Sequence, residues 1–205
     1  IRDEATRRTE RRILDAAEQL FREHGYAATT VAMIASTAQV SKQTVYNSCG
    51  SKAQVLKRLY DVRLVGDDEP TPFGQRPQTR AMAALTDPRL LLREYARQGG
   101  LLIQRLGPLL VVITAGAAAG DADLLQHQKT TDAERLIGST GVAGRLAELD
   151  AFRPGMTADR ARDIIWTLTG APVWQQFTIG RGWSLERFTE WLGAAMIDLL
   201  LPPAG

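Results

Sequence analysis

Apolar and polar positions keep a helical period almost from end to end of the chain. Ile13, Ala17, Leu20 and Phe21 recur at i, i+4, i+7 and i+8, the apolar stripe of a helix over 4–24. Gly25 stands just past its end, in the C′ place. A short helix starts at Thr29 or Thr30, both good N-caps. Its buried face is Ile34, Ala35 and Ala38, small enough for a second helix to pack closely. Val40 plugs a turn, and Ser41 caps that second helix. Ser51-Lys52-Ala53-Gln54 has the form of a capping box. The helix it opens has Val55, Leu56, Leu59 and Tyr60 as its apolar face.

Residues 66–77, G-D-D-E-P-T-P-F-G-Q-R-P, hold three prolines and two glycines and read as a loop. From Gln78 the pattern is helix after helix. A short one ends at Thr86, and Asp87-Pro88 starts another at N-cap and N1, with Leu91, Leu92, Tyr95, Leu102 and Leu106 on one face. Gly99-Gly100 in its middle predict a kink or a close contact. Gly107-Pro108 is expected to break the chain, and Leu109–Ala119, apolar nearly all round, to lie at the centre of the core. Asp123 to Leu149 reads as a longer helix or pair, interrupted near Gly138–Gly144. Thr157 caps a helix over Ala158–Ile179, and Ser184 a final one to Leu201. No stretch alternates as a strand does, so the fold class is all-α.

Composition changes this picture little. The 205 residues, 44% hydrophobic and 23% charged, fit an ordinary globular protein. Net charge is +2, but residues 1–65 carry eleven Lys/Arg against seven Asp/Glu, and the remainder fourteen against sixteen. A basic N-terminal third suits a polyanion. The one cysteine, Cys49, excludes an intrachain disulfide and suits a reducing cytoplasm. The charged N-terminus does not read as a signal peptide, and no apolar run approaches the roughly 20 residues that span a bilayer. The two histidines, His24 and His127, are far apart. No metal-ligand spacing, phosphate loop or nucleophile motif is present, so no catalytic residue, metal or cofactor is assigned.

Candidate chemistry centres on Thr29–Tyr46. Two short helices joined by a tight turn are the layout of a helix-turn-helix, whose second helix enters the DNA major groove N-terminus first. Lys42 suits guanine O6/N7 and Gln43 suits adenine N6/N7. Thr44 suits a base edge or the thymine methyl. Tyr46 is either a phosphate contact through its hydroxyl or a core aromatic. Arg7, Arg8, Arg11 and Arg12 are either a solvated face or an approach to phosphate. Lys52, in the first turn of its helix, gains nothing from the helix dipole and so suits an external anion.

Taken together, I-L-D-A-A-x-x-L-F-x-x-x-G-Y-x-x-T-T-V-x-x-I-A, then V-S-x-x-T-V-Y, then S-K-x-x-V-L resembles the DNA-binding domain of TetR-family (TetR/AcrR-like) transcriptional regulators over residues 7–60. The resemblance implies a helix-turn-helix domain over 1–50, a connecting helix over 51–65, and a ligand-binding and dimerisation domain over 78–205. It implies DNA contacts from Thr30, Ser41, Lys42, Gln43, Thr44, Tyr46, Asn47, Ser48 and Lys52. Three positions depart from the family pattern. Gln39 stands where the turn usually has glycine, leaving either a strained turn or a different geometry. Ser48 stands for an aromatic or His. Cys49 stands for Phe, an inert buried filler rather than a redox group.

In the C-terminal part, Val173, Gln176, Phe188, Leu192, Met196 and Leu199 face either their own core or a second copy, and the resemblance favours a homodimer. Tyr95, Gln98, Leu102, Thr114, His127 and Trp166 are candidate contacts for a small, largely hydrophobic effector. The expected function is a cytoplasmic, ligand-responsive regulator, most simply a repressor on a palindromic operator of double-stranded DNA. A ligand-independent DNA-binding protein or a helical enzyme are the alternatives.

Overall fold

The computed structural model describes residues 2–66 and 75–203, with side chains from residue 4. The expected loop is described only at its edges, since 67–74 lie outside the described residues. Among the described residues ten α-helices follow one another and there is no strand.

The first four helices are α1 (Arg2–Ala28), α2 (Val31–Thr37), α3 (Lys42–Cys49) and α4 (Lys52–Val65). Gly25, at φ 76° and ψ 169°, turns the chain inside α1, so the regular helix ends where the C′ glycine predicts. Thr30, not Thr29, caps α2, its Oγ1 accepting from Met33 N at 3.2 Å. Thr29 is buried and donates to the carbonyls of Gly25 and Leu20. Ser41 caps α3, and the capping box at Ser51 and Gln54 is complete.

The later helices are α5 (Pro77–Ala83), α6 (Pro88–Ala118), α7 (Ala122–Glu148), α8 (Ala158–Leu168), α9 (Ala171–Gln175) and α10 (Leu185–Leu200), with a π-helical turn at Gln176–Gly180 before α10. Three expected boundaries move. Pro108 sits inside α6 instead of ending it, because the apolar stripe Leu106, Leu109, Ile113 and Ala117 stays buried across it. The stretch after Pro108 is not buried all round: Val111 is 38% exposed and Ala115 and Ala118 are exposed. In α7, Gly138, Gly141 and Gly144 are carried within one helix. Conversely, the helix from Thr157 stops at Thr169, and Gly170-Ala171-Pro172 starts a new one. By length and composition alone the continuous α6 would suffice to cross a membrane. Leu91, Leu92, Ala96, Leu106, Leu109, Ile113 and Ala117 along it are nonetheless buried in protein.

The chain forms two compact units, one of Ile1–Glu69 with Arg105–Lys129, the other of Pro70–Gln104 with Thr130–Gly205. In the first, Ile13, Phe21, Ile34, Val45, Leu56, Leu59, Leu109, Ile113 and Leu124 share one core. Arg63 ties α4 to α1 through Asp15 and Glu18, and Arg58 does so through Glu10. In the second, Phe177, Trp183, Phe188 and Trp191 cluster with ring centroids 4.3–6.3 Å apart. The Arg187 guanidinium lies 3.9 Å over the Trp183 ring. Gly100 of α6 lies where an added Cβ would meet Thr189 Oγ1 at 2.5 Å, a close approach to α10, whereas Gly99 has open space.

Candidate nucleic-acid interface

The exposed face of α3 is built by period alone. Val45 and Cys49, four apart, are buried; Lys42, Gln43, Tyr46 and Asn47 are exposed, and Thr44 and Ser48 lie at the margin. Tyr46 is 51% exposed, which removes its reading as a core aromatic. Ser41 Oγ accepts from Thr44 N at 3.0 Å and lies 2.8 Å from Thr44 Oγ1. The Thr44 hydroxyl is thus held by the cap. Gln43 Nε2 donates to Asn47 Oδ1 at 2.8 Å, one turn along. Thr30 is exposed at the start of α2, where its hydroxyl oxygen caps the helix.

The turn holding α2 against α3 keeps the geometry that glycine usually supplies. Gln39 has φ 53°, in the left-handed region. Its N–H donates to Ser36 O at 3.0 Å, and Val40 N–H donates to Ala35 O at 2.9 Å, the 6→1 bond of a Schellman ending. The turn is therefore strained rather than rebuilt, at a cost of about 1–2 kcal/mol. Arg12 compensates from α1: its guanidinium donates to the carbonyls of both Ala38 and Gln39. The sequence left Arg12 between a solvated face and an approach to phosphate, and this role is neither. No local signal joins residues 26 and 27 positions apart.

Lys52 has a partner inside the protein. Its ammonium donates to Tyr26 O at 2.9 Å and sits 4.0 Å over the Tyr26 ring, which takes up one of its three N–H donors. Tyr26 is itself fixed, its hydroxyl donating to Asp123 Oδ2 at 2.9 Å and its ring packed 5.4 Å from Phe21. Burial, then the Asp123 bond, pushes its phenol well above the ordinary value. Ser48 is half-buried, and Cys49 is 7% exposed beneath the face. Burial first, then the Glu10 carboxylate, raises the Cys49 thiol to about 11, against a lowering by Arg58.

The candidate effector residues fall in both units. In the second, the Tyr95 hydroxyl lies near Ser139 and Thr169, the Trp166 indole donates to Asp132 O, and Gln98 Nε2 donates to Gln78 O and Glu94 Oε1. Leu102 is half-buried there. In the first, Thr114 Oγ1 donates to Leu110 O. His127 packs edge-on against Tyr60 at 4.8 Å, and its Nε2 is buried without a hydrogen-bond partner. Burial, then Lys57, lowers its pKa, opposed by Asp61. Of the candidate interface residues, Phe188, Leu192 and Met196 are at most 1% exposed and fill the core of their own unit. The interface reading does not extend to them. Val173 is half-buried, and Gln176 and Leu199 are exposed. Among the described residues no group of acidic, His or Cys side chains is placed to hold a metal.

Residues 13–59 match the family described as bacterial regulatory proteins, tetR family. No curated protein matches the chain. Solved structures share the fold at low identity. NalD, the secondary repressor of the MexAB-OprM multidrug efflux pump in Pseudomonas aeruginosa, is 20% identical with TM-score 0.74, over 98% of this chain and 100% of that one. A putative TetR-family transcriptional regulator from Syntrophomonas wolfei is 16% identical with TM-score 0.72, over 93% of each chain. SmeT, in a complex with triclosan, is 18% identical with TM-score 0.71, over 96% of this chain and 93% of that one. Residues 13–59 thus match the tetR family, and the chain as a whole shares its fold with NalD and the Syntrophomonas wolfei protein.

Proposed function

We propose that the chain is a cytoplasmic, ligand-responsive transcriptional regulator, a repressor that binds a palindromic DNA operator as a homodimer and is released by a small, largely hydrophobic effector. The observation that carries this reading is the face of α3. Lys42, Gln43, Tyr46 and Asn47 are exposed together, beside Thr30, Ser41, Thr44 and Ser48, on a helix whose turn is held by Arg12. Such a face supplies hydrogen-bond donors, acceptors and one positive charge, which suits base and phosphate contact.

Residues 1–50 carry the DNA-binding role, 51–65 connect, and 78–205 hold the effector and dimer functions. Two recognition helices about 34–36 Å apart read a palindrome. The exposed Ile179 and Leu199, with Gln176 and Val173, give a second copy an apolar margin to meet. Within the second unit the effector would touch mostly apolar surface of Tyr95, Leu102 and Trp166, since the Gln98 amide and the Trp166 indole are already engaged. The solved triclosan complex of SmeT makes triclosan a reasonable first probe.

The test is a mobility-shift assay with DNA from upstream of the chain's own coding region. We expect a retarded band that unlabelled random DNA does not displace, and that Lys42→Ala combined with Tyr46→Phe weakens at least tenfold, two lost contacts of about 1 kcal/mol each. Binding unchanged by that pair would falsify the reading. Effector binding is expected to raise the melting temperature by mass action.

A further inference from the structure

Gln43 and Asn47 lie one turn apart on the exposed face of α3, joined by the 2.8 Å bond from Gln43 Nε2 to Asn47 Oδ1. That bond takes one of the two N–H groups of Gln43 and one lone pair of Asn47. It leaves the Gln43 carbonyl oxygen as an acceptor and the Asn47 amide nitrogen as a donor. Neither amide makes another hydrogen bond among the described residues. Two amides that would otherwise rotate independently are held as one donor–acceptor pair, so part of the ordering cost of recognition is met before any partner arrives.

We infer that Gln43 and Asn47 act as a single reading unit for one adenine per half-site in the DNA major groove. Gln43 Oε1 accepts from adenine N6–H, and Asn47 Nδ2 donates to adenine N7. The base edges decide this choice. Adenine sets an acceptor, N7, next to a donor, N6, on one base. Guanine offers two acceptors, cytosine a donor, and thymine an acceptor and a methyl. Lys42, which has donors only, suits guanine and does not compete for the same edge. The inference rests on the reading of the chain as a DNA-binding regulator and sharpens it to one base and two side chains acting together.

The experiment is selection from a pool of random duplexes by the full chain, followed by sequencing, for the unaltered protein, Gln43→Ala, Asn47→Ala and the double variant. We expect an adenine fixed at one position of each half-site. Each single change relaxes that position by on the order of tenfold. The double variant relaxes it no further than the singles, because removing either member removes the unit. Singles that relax two different positions, or that leave the adenine preference intact, overturn the inference while the DNA-binding reading stands. An unaltered protein that enriches no sequence overturns both. Thermal melts of the variants report folding separately, and both side chains are exposed, so curves matching the unaltered protein are expected.

Discussion

Gln39 concentrates one residue's strain at the turn on which α3 depends. Its φ of 53° is one that glycine adopts freely. Gln39→Gly should therefore raise stability by up to about 1 kcal/mol, the relief being partly offset by the freer unfolded chain. The midpoint of a denaturant melt reads this, and a lower midpoint would mean that the glutamine contributes something its backbone does not show. Cys49 is a second case. With its thiol pushed up to about 11, it is protonated at neutral pH, and it is 7% exposed. An aromatic disulfide reagent at pH 8 should leave it unmodified in the folded protein and titrate it in denaturant. Rapid labelling of the folded state would contradict its role as a buried filler. His127 supplies a pH dependence. Its folded pKa is depressed, so the unfolded chain binds the proton more readily. The stability it contributes is present above the ordinary imidazole value of about 6.5 and is lost as pH falls through the lowered one. Melting curves between pH 8 and 5 should show a slope that flattens in His127→Phe.

At the scale of elements, side-chain caps were legible and interior breaks were not. Thr30, Ser41, Ser51, Thr157 and Ser184 cap the helices they were expected to cap, because a cap is a bond between residues three apart. The glycines and proline inside α6 and α7 misled. Intrinsic preference says break, but a continuous buried stripe outweighs a penalty of about 1 kcal/mol per glycine, and even the larger one for proline. Gly99 and Gly100 divide the two explanations offered for their pair. Gly99 has nothing within 4 Å of an added Cβ, so Gly99→Ala should stabilise by about 0.5–1 kcal/mol. At Gly100 the stiff Thr189 side chain, whose hydroxyl bonds Leu185 O, stands 2.5 Å from the same atom. Gly100→Ala should destabilise by about 1 kcal/mol or more. Opposite shifts in melting temperature from neighbouring identical substitutions would be the signature. Equal shifts would refute the contact with α10.

For the molecule as a whole, the site was legible where it is local and hidden where it is assembled. The α3 face follows from a cap and a period, so Lys42, Gln43 and Tyr46 could be named from them in advance, and Asn47 from the family resemblance. The bonds from Arg12 to Ala38 and from Lys52 to Tyr26 join residues 26 apart, and neither could be read from spacing. The Lys52 bond bears on how binding responds to ions. Each phosphate neutralised by a cationic side chain frees counterions from the duplex, and log K against log salt steepens by about 0.9 per contact. A lysine whose ammonium stays on a carbonyl and an aromatic ring keeps its charge but makes no direct phosphate contact to add to that count. Lys42→Gln should make the salt dependence shallower by nearly one unit per protomer if Lys42 meets a phosphate, and leave the slope unchanged if it reads only a base. Lys52→Gln should leave the slope where it is while loosening the start of α4. Lys42 and Lys52 would thus be told apart by ionic strength alone.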